Sequence, residues 1–452
     1  MTKTTELELE KKITGLLDEK KYKELKETIS EINPYDLAAL FKDLPEKNVI
    51  LLFRLLPKDL AADTFVEMDS EQKKALIDSF SDVELKEVIN ELYIDDMVYL
   101  IEEMPANVVK RILKNSSESD RNIINQILNY PEDSAGSIMT TEYVSLRSDM
   151  TIADAIKRIR QIGLDSETFD TCYVTDNVKH LIGYITLRTI ILSDDNSKIE
   201  DLMETNVISV NTHDDQEEVA RLFGKYDLTV LPVVDKDNRL VGIVTVDDAW
   251  DVLEQETTED MEIMAAITPS DIPYLKKSIF EIWKARIPWL LFLMISATFT
   301  GLIITHFEDA LQKYVILTAY IPMLMDTGGN SGSQSSVTII RGMSLNELKF
   351  GDLLKVLWKE IRVAVFCGLT LGTVNFIKLI VIDRVGFSIA LVVNTTLLIT
   401  VLLAKIVGST LPMFAKKLGF DPAVMASPFL TTIVDALSLM IYFFVAHMVL
   451  GL

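Results

Sequence analysis

Residues 287–305 (IPWLLFLMISATFTGLIIT) run for 19 positions without a charge. As a helix, that stretch spans about 28 Å, the thickness of a bilayer core. Four more apolar stretches follow, at 314–340, 361–382, 386–415 and 423–451, each with at most one or two ionisable groups. Five such segments so close together leave too little polar surface for a soluble fold, so the pattern predicts an all-α membrane domain of five spans over 281–452. Between the second and third, LNELKFGDLLKVLWKE (345–360) reads as an amphipathic helix lying on the inner interface.

The rest of the chain has other periods. Leu44, Leu56, Met68, Phe80, Leu92 and Met104 recur every 12 residues, and Pro45, Pro57 and Pro105 follow three of them directly. Twelve residues make one short helix and a turn, so residues 1–132 are expected to form an all-α solenoid. A second duplication spans 133–252, with copies at about 137–200 and 201–252. SIMTTEYVSL (137–146) resembles DLMETNVISV (201–210), and VTDNVKHLIGYIT (174–186) aligns without gaps with VVDKDNRLVGIVT (233–245). Each copy reads strand, helix, strand, turn, strand, helix, an α/β pair. Residues 246–265 read as one helix, and 253–280 as the connection to the first span.

Charge separates the chain into two kinds of polymer. The 452 residues carry a net charge of −23, which is −27 over 1–270 and +4 over 271–452. The acidic part would repel phosphate, so nucleic acid is not an expected partner. Two cysteines, Cys172 and Cys367, make no disulfide framework. The charged N-terminus lacks an apolar stretch, so no cleavable signal peptide is expected. Lysines and arginines also fall unevenly around the spans. One set of loops holds eleven, including Lys276, Lys277, Arg341, Lys349, Lys416 and Lys417, and the other only Lys313 and Arg384. The expectation is a multi-pass protein of the cell membrane with its N-terminus cytosolic and its C-terminus outside.

Ionisable groups inside a bilayer are costly, which makes Asp326, Lys378, Lys405 and Asp435 candidates for function. Lys378 lies near the outer end of its span and can snorkel; Lys405 reaches an interface less easily. Asp435, in TTIVDALSLM, sits about 12 residues into the last span, near the midplane. It reads as a cation ligand, with a packing hydrogen bond as the alternative. MDTGGNSGSQSS (325–336) is a poor helix by propensity. It reads either as irregular backbone lining water or as a tight helix–helix contact. If the helix continues, Asn330 and Gln334 share a polar face, which Asn394, Thr395 and Thr396 could extend. Pro322, Pro412 and Pro428 offer kinks. The four histidines are scattered, so the ligands are oxygens and the ion is hard. Mg²⁺ fits, because it dehydrates reluctantly and needs few protein ligands. Five helices are few for a conduction path, so a homodimer contributing Asp435 twice is expected.

A dense acidic helix lies just before the first span. Between Arg239 and Lys276 no basic residue interrupts Asp247, Asp248, Asp251, Glu254, Glu256, Glu259, Asp260, Glu262 and Asp271. Such like charges resist close packing unless a cation neutralises them. A divalent switch and a solvated helix face are the two readings.

In this order the pieces resemble the MgtE family of magnesium channels, with a helical N-domain, paired CBS domains, a linking plug helix and five spans. The motifs that carry the resemblance are MDTGGNSGSQSS, TTIVDALSL and DAWDVLEQETTEDM. It implies a homodimeric, non-enzymatic Mg²⁺ channel closed by cytosolic Mg²⁺. Asp435 would recognise the ion, with Gly328, Gly329, Asn330, Gln334 and Asp326 beside it. Asp247, Asp248, Asp251, Glu256, Glu259 and Asp260, with Asp95 and Asp96 of the N-domain, would bind regulatory ions. CBS pairs often bind adenosine nucleotides through a Thr or Ser and an Asp three residues on. The second copy keeps Thr245 and Asp248, which implies ATP there, whereas the first has Thr186 and Thr189. No GxxxxGK[ST] motif supports a pump. The alternative is a secondary exchanger coupling Mg²⁺ to Na⁺ or H⁺.

Overall fold

The structure is a computed structural model that describes residues 3–451 apart from 271, 273 and 276. It divides into two compact units, Met1–Leu253 and Glu254–Leu452. Asp271 and Lys276, each counted in a charge pattern above, lie outside the described residues.

The first unit begins with ten helices among the described residues, from Lys3–Asp18 to Glu118–Ile127. The 12-residue repeat has a local cause. Leu56, Met68, Phe80, Leu92 and Met104 each precede the residue that caps the next helix, and all five are buried. Pro45, Pro57 and Pro105 occupy the cap position itself, where a missing N–H costs nothing and φ suits the turn. Elsewhere Asp69, Ser81 and Ser117 cap through side-chain oxygens. From the third helix on, each packs mainly on a next-but-one neighbour, as in a solenoid, while the first two pack on each other.

The duplicated segment forms two three-stranded sheets of the same design. The first is β1 (Tyr143–Arg147), β2 (Thr168–Thr175) and β3 (Leu181–Thr186); the second is β4 (Val210–Asn211), β5 (Val230–Val234) and β6 (Leu240–Thr245). In each, the first pair is parallel and the second antiparallel. The hairpin turns match residue for residue. Asp176 Oδ1 accepts from the amides of Val178 and His180, and Asp235 Oδ1 from those of Asp237 and Arg239. The two copies join through Tyr173, whose hydroxyl donates to the Val230 carbonyl at 3.2 Å, and Tyr143, which donates to that of Leu240 at 3.1 Å. Helix α1 (Val246–Met264) follows β6 without a break.

The second unit is built on five long helices, α2 (Ile279–His306), α3 (Ile321–Ser344), α4 (Leu353–Ile377), α5 (Phe387–Lys417) and α6 (Ser427–Leu450). Among the described residues, four segments are long and apolar enough to cross a membrane: Ile279–His306, Phe350–Ile382, Phe387–Lys417 and Pro422–Leu450. The fifth helix, α3, carries the Gly/Ser-rich run and is too polar to qualify by composition. Its neighbours place it within the bundle all the same. Gly328 meets Thr400 and Val434, and Gly332 meets Ala404 and Leu430. That register makes α3 parallel to α5 and antiparallel to α6, while Phe292–Phe429 and Phe307–Phe443 stacking makes α2 parallel to α6.

Two expectations change. MDTGGNSGSQSS is continuous α-helix, because three glycines trade propensity for close contact with α5 and α6. Residues 345–360 are not a separate interfacial helix; from Leu353 onward they are the first turns of α4.

Candidate ion-binding sites

On α3, Asp326, Asn330 and Gln334 fall at i, i+4 and i+8 and are all exposed in the single chain. Asp435 is half-buried on α6, and the charge it feels from its surroundings is that of Asp326. The structure therefore brings together two carboxylates whose relation the sequence left open. Among the described residues no cation pairs with either. Gly328 and Gly329 face away from this stripe. A Cβ on Gly328 would lie 2.7 Å from Thr400 Cγ2, and one on Gly329 would lie 3.0 Å from Thr431 Cγ2. Their role here is to let the helices approach. Asn394, expected to extend the polar face, lies instead against Gly372 of α4, and Thr396 is fully buried, donating to the Val392 carbonyl at 2.8 Å. Helix α2 buries none of its residues in the single chain, although it is apolar throughout.

The lysines find partners. Lys378 Nζ donates to Asp383 Oδ2 at 2.9 Å, and the Tyr320 hydroxyl donates to the same oxygen at 3.0 Å. Lys405 is buried beside Ser335 and Glu360. Glu360 ends the segment whose pattern suggests an interfacial helix, so the sequence does not mark it as a partner of Lys405.

The second group of carboxylates lies in the first unit. Asp95 and Asp96 occupy the first turn of helix Ile94–Glu103, where free amides and the helix dipole favour negative charge. The Ile94 amide at that helix start donates to Glu142 Oε2 at 2.9 Å. Asp248 sits in the first turn of α1, with the Thr245 hydroxyl donating to it at 2.5 Å. These groups act on one another. Burial, and then Asp96, push Asp95 up to about 7. Burial and Asp248 push Asp96 up to about 6, and burial and Asp95 push Asp248 up to about 7. Glu167 goes furthest, to about 8, through burial and then Asp95, and its Oε2 lacks a hydrogen-bond partner. Such shifts mark carboxylates packed together with too little positive charge to balance them, Lys73 alone opposing the shift of Asp96.

Of the carboxylates gathered here, the sequence singles out Asp95, Asp96 and Asp248 as candidates but not Glu142 or Glu167. Both lie in loops flanking β1 and β2 and belong to no charge run, so no signal in the sequence marked them. Asp247 is exposed and adds to the field at Asp248 and Glu167, and Asp251 acts on Glu67. Glu256, Glu259 and Asp260 lie further along α1, in the second unit. Among the described residues, no three His, Cys, Asp or Glu side chains are close enough to hold one bare metal ion. In the first copy of the duplicated segment, Thr186 and Thr189 share a hydroxyl contact of 3.0 Å where the second has the Thr245–Asp248 pair.

Comparison with known proteins covers most of the chain. Residues 321–445 match the profile of a divalent cation transporter family, 32–133 that of the MgtE intracellular N domain, and 135–194 and 199–249 that of the CBS domain. The magnesium transporter MgtE of Bacillus subtilis is 34 % identical over 97 % of this chain and 97 % of its own length. That of Thermus thermophilus is 36 % identical, over 94 % and 95 %. Among solved structures, the cytosolic domain of the Mg²⁺ channel MgtE in complex with ATP superposes with a TM-score of 0.51 at 36 % identity, covering 53 % of this chain and 98 % of that one. The soluble part of a magnesium transporter gives 0.52 at 31 %, covering 56 % and 99 %.

Proposed function

The chain belongs to the MgtE family of magnesium transporters, and from that premise we propose that it is a Mg²⁺-selective channel that cytosolic Mg²⁺ holds shut. One observation carries the conduction part. Asp326, Asn330 and Gln334 form an uninterrupted polar stripe on α3, and Asp435 of α6 stands beside its acidic end. A polar stripe in a membrane needs water or a partner, and α2 buries nothing of its own. Both facts support a homodimer in which two stripes and two copies of Asp435 enclose a hydrated ion. Gly328 and Gly329 hold α3 close enough to its neighbours for this. All five long helices cross the bilayer, with residues 1–132, 133–252 and 253–280 as N-domain, CBS pair and connecting helix on the cytosolic side. The C-terminus then lies outside.

Regulation rests on the raised carboxylates. Ions at Asp95, Asp96, Asp247, Asp248 and Asp251, and along α1 at Glu256, Glu259 and Asp260, would cancel repulsion that otherwise loosens the acidic domains. Thr245 and Asp248 would hold the ribose of ATP, as CBS pairs do. The Mg²⁺ ion is cargo and regulator, and the protein is not an enzyme. Lipid and divalent cations are its partners, and nucleic acid is not.

The decisive experiment is Mg²⁺ current from purified protein in lipid, with cytosolic-side Mg²⁺ stepped from low to high. The expected result is current that shuts as Mg²⁺ rises, and that Asp435→Ala abolishes. Normal Mg²⁺ current in Asp435→Ala would overturn the pore assignment. Flux that stops without Na⁺ or a proton gradient would favour the exchanger.

A further inference from the structure

Lys405 is 4 % exposed in the middle of α5. Its ammonium donates to Ser335 Oγ of α3 at 3.3 Å, and Ser335 donates in turn to Glu360 Oε2 of α4 at 2.6 Å. Lys405 Nζ and Glu360 Oε2 are themselves 4.0 Å apart, with side chains 5 % and 14 % exposed. One hydroxyl thus bridges a buried ion pair and ties three helices together. Immediately beside it α3 and α5 cross closely, and a Cβ on Gly408 would clash with the Gly332 carbonyl oxygen. That crossing fixes how close α3 and α5 come. It has no side chains with which to fix the rotation of α3 about its own axis. Ser335 does, because it is buried while its neighbour Gln334 is exposed on the polar stripe.

We propose that Lys405 is a positioning residue for ion passage, holding Ser335 and Glu360 so that α3 presents Asn330 and Gln334 at a fixed angle. The charges are retained for geometry. A lysine and a glutamate withdrawn from water cost more than an apolar pair of equal volume, and an off-centre pair of this kind specifies orientation. The inference rests on the conduction reading above, so its test needs one readout independent of transport.

The full chain is purified with Cys367→Ser, which leaves only the buried Cys172, and Gln334→Cys supplies the accessible thiol. Labelling of that thiol in lipid by a water-soluble maleimide reports the aim of the stripe. Mg²⁺ flux and the Mn²⁺/Mg²⁺ flux ratio are measured in the Gln334 background. Lys405→Glu and Glu360→Lys are each expected to slow both labelling and Mg²⁺ flux by about tenfold, since each leaves buried like charges unpaired. The double exchange, which restores the pair with Ser335 still between, should bring both back to within about threefold. Should the single variants fail to fold, Lys405→Met/Glu360→Met removes both charges at similar volume. It should fold, label unevenly and lose its ion preference. A Met/Met protein with native labelling and native flux ratio would overturn the proposal, as would a folded charge exchange that recovers neither. If labelling shifts and recovers while the natural chain carries no Mg²⁺, the positioning role stands and the conduction reading falls.

Discussion

Lys73 lies at the edge of the acidic group with its ammonium almost wholly withdrawn from water. It stands 3.9 Å from Glu103 and 5.6 Å over the Tyr99 ring. Burial lowers its pKa, while Glu103 and then Asp96 oppose that. A fixed cation beside Asp96 weakens any divalent ion that Asp96 attracts. Lys73→Met should therefore lower the Mg²⁺ concentration that half-closes the channel by about threefold or more, read from flux against internal Mg²⁺. An unchanged midpoint would place the regulatory ions away from Asp96. The raised carboxylates give a second prediction. Asp95, Asp96, Asp248 and Glu167 bind protons more tightly folded than unfolded, so their contribution to stability is full below about pH 4 and is lost as pH rises through 6 to 8. In Mg²⁺-free buffer, proteolysis of the first unit should quicken across that window, and millimolar Mg²⁺ should restore protection by favouring the ionised form. Protection that rises with pH without Mg²⁺ would contradict the assignment. At this scale the sequence showed which residues are acidic. It could not show that Glu142 and Glu167 join them, since burial and proximity arise only once distant loops meet.

At the scale of elements, hydrophobic period and turn chemistry carried far. The 12-residue repeat resolves into helices capped at each repeat, and both hairpins of the duplicated segment carry an aspartate at the equivalent position. Propensity misjudged α3, because a glycine's cost in an isolated helix is outweighed where backbones must touch. This yields a paired prediction. Gly408→Ala drives a methyl into the Gly332 carbonyl and should destabilise the bundle by about 2–3 kcal/mol or more, seen as lost thermal stability in detergent. Gly301→Ala in α2 meets nothing within 4 Å and should be neutral or stabilise by up to about 1 kcal/mol. Equal effects at both positions would refute the close-contact account. The segment at 345–360 shows the complementary error. Its polar residues looked interfacial, yet Glu360 is drawn into the bundle by Ser335 and Lys405.

For the whole molecule, the split between an acidic half and an apolar half sets which part meets water and which meets lipid. Cysteines introduced beside Lys313 and Arg384 should react with an impermeant reagent from outside intact cells, and one beside Lys349 should not. The reverse pattern would invert the topology. Fold class, the order of its parts and the family were all legible in the sequence, because periodicity, duplication and charge segregation are properties of the chain itself. The sequence also singles out Asp435 as a candidate, since a midplane carboxylate is costly, and the Asp435→Ala current is what tests it. What tertiary structure decided was adjacency: Asp326 beside Asp435, Asn394 turned to α4, Lys405 joined to Glu360 through one serine, and Glu167 gathered to Asp95. Those relations depend on how helices are rotated and how far loops travel, and packing fixes both only when the chain is folded.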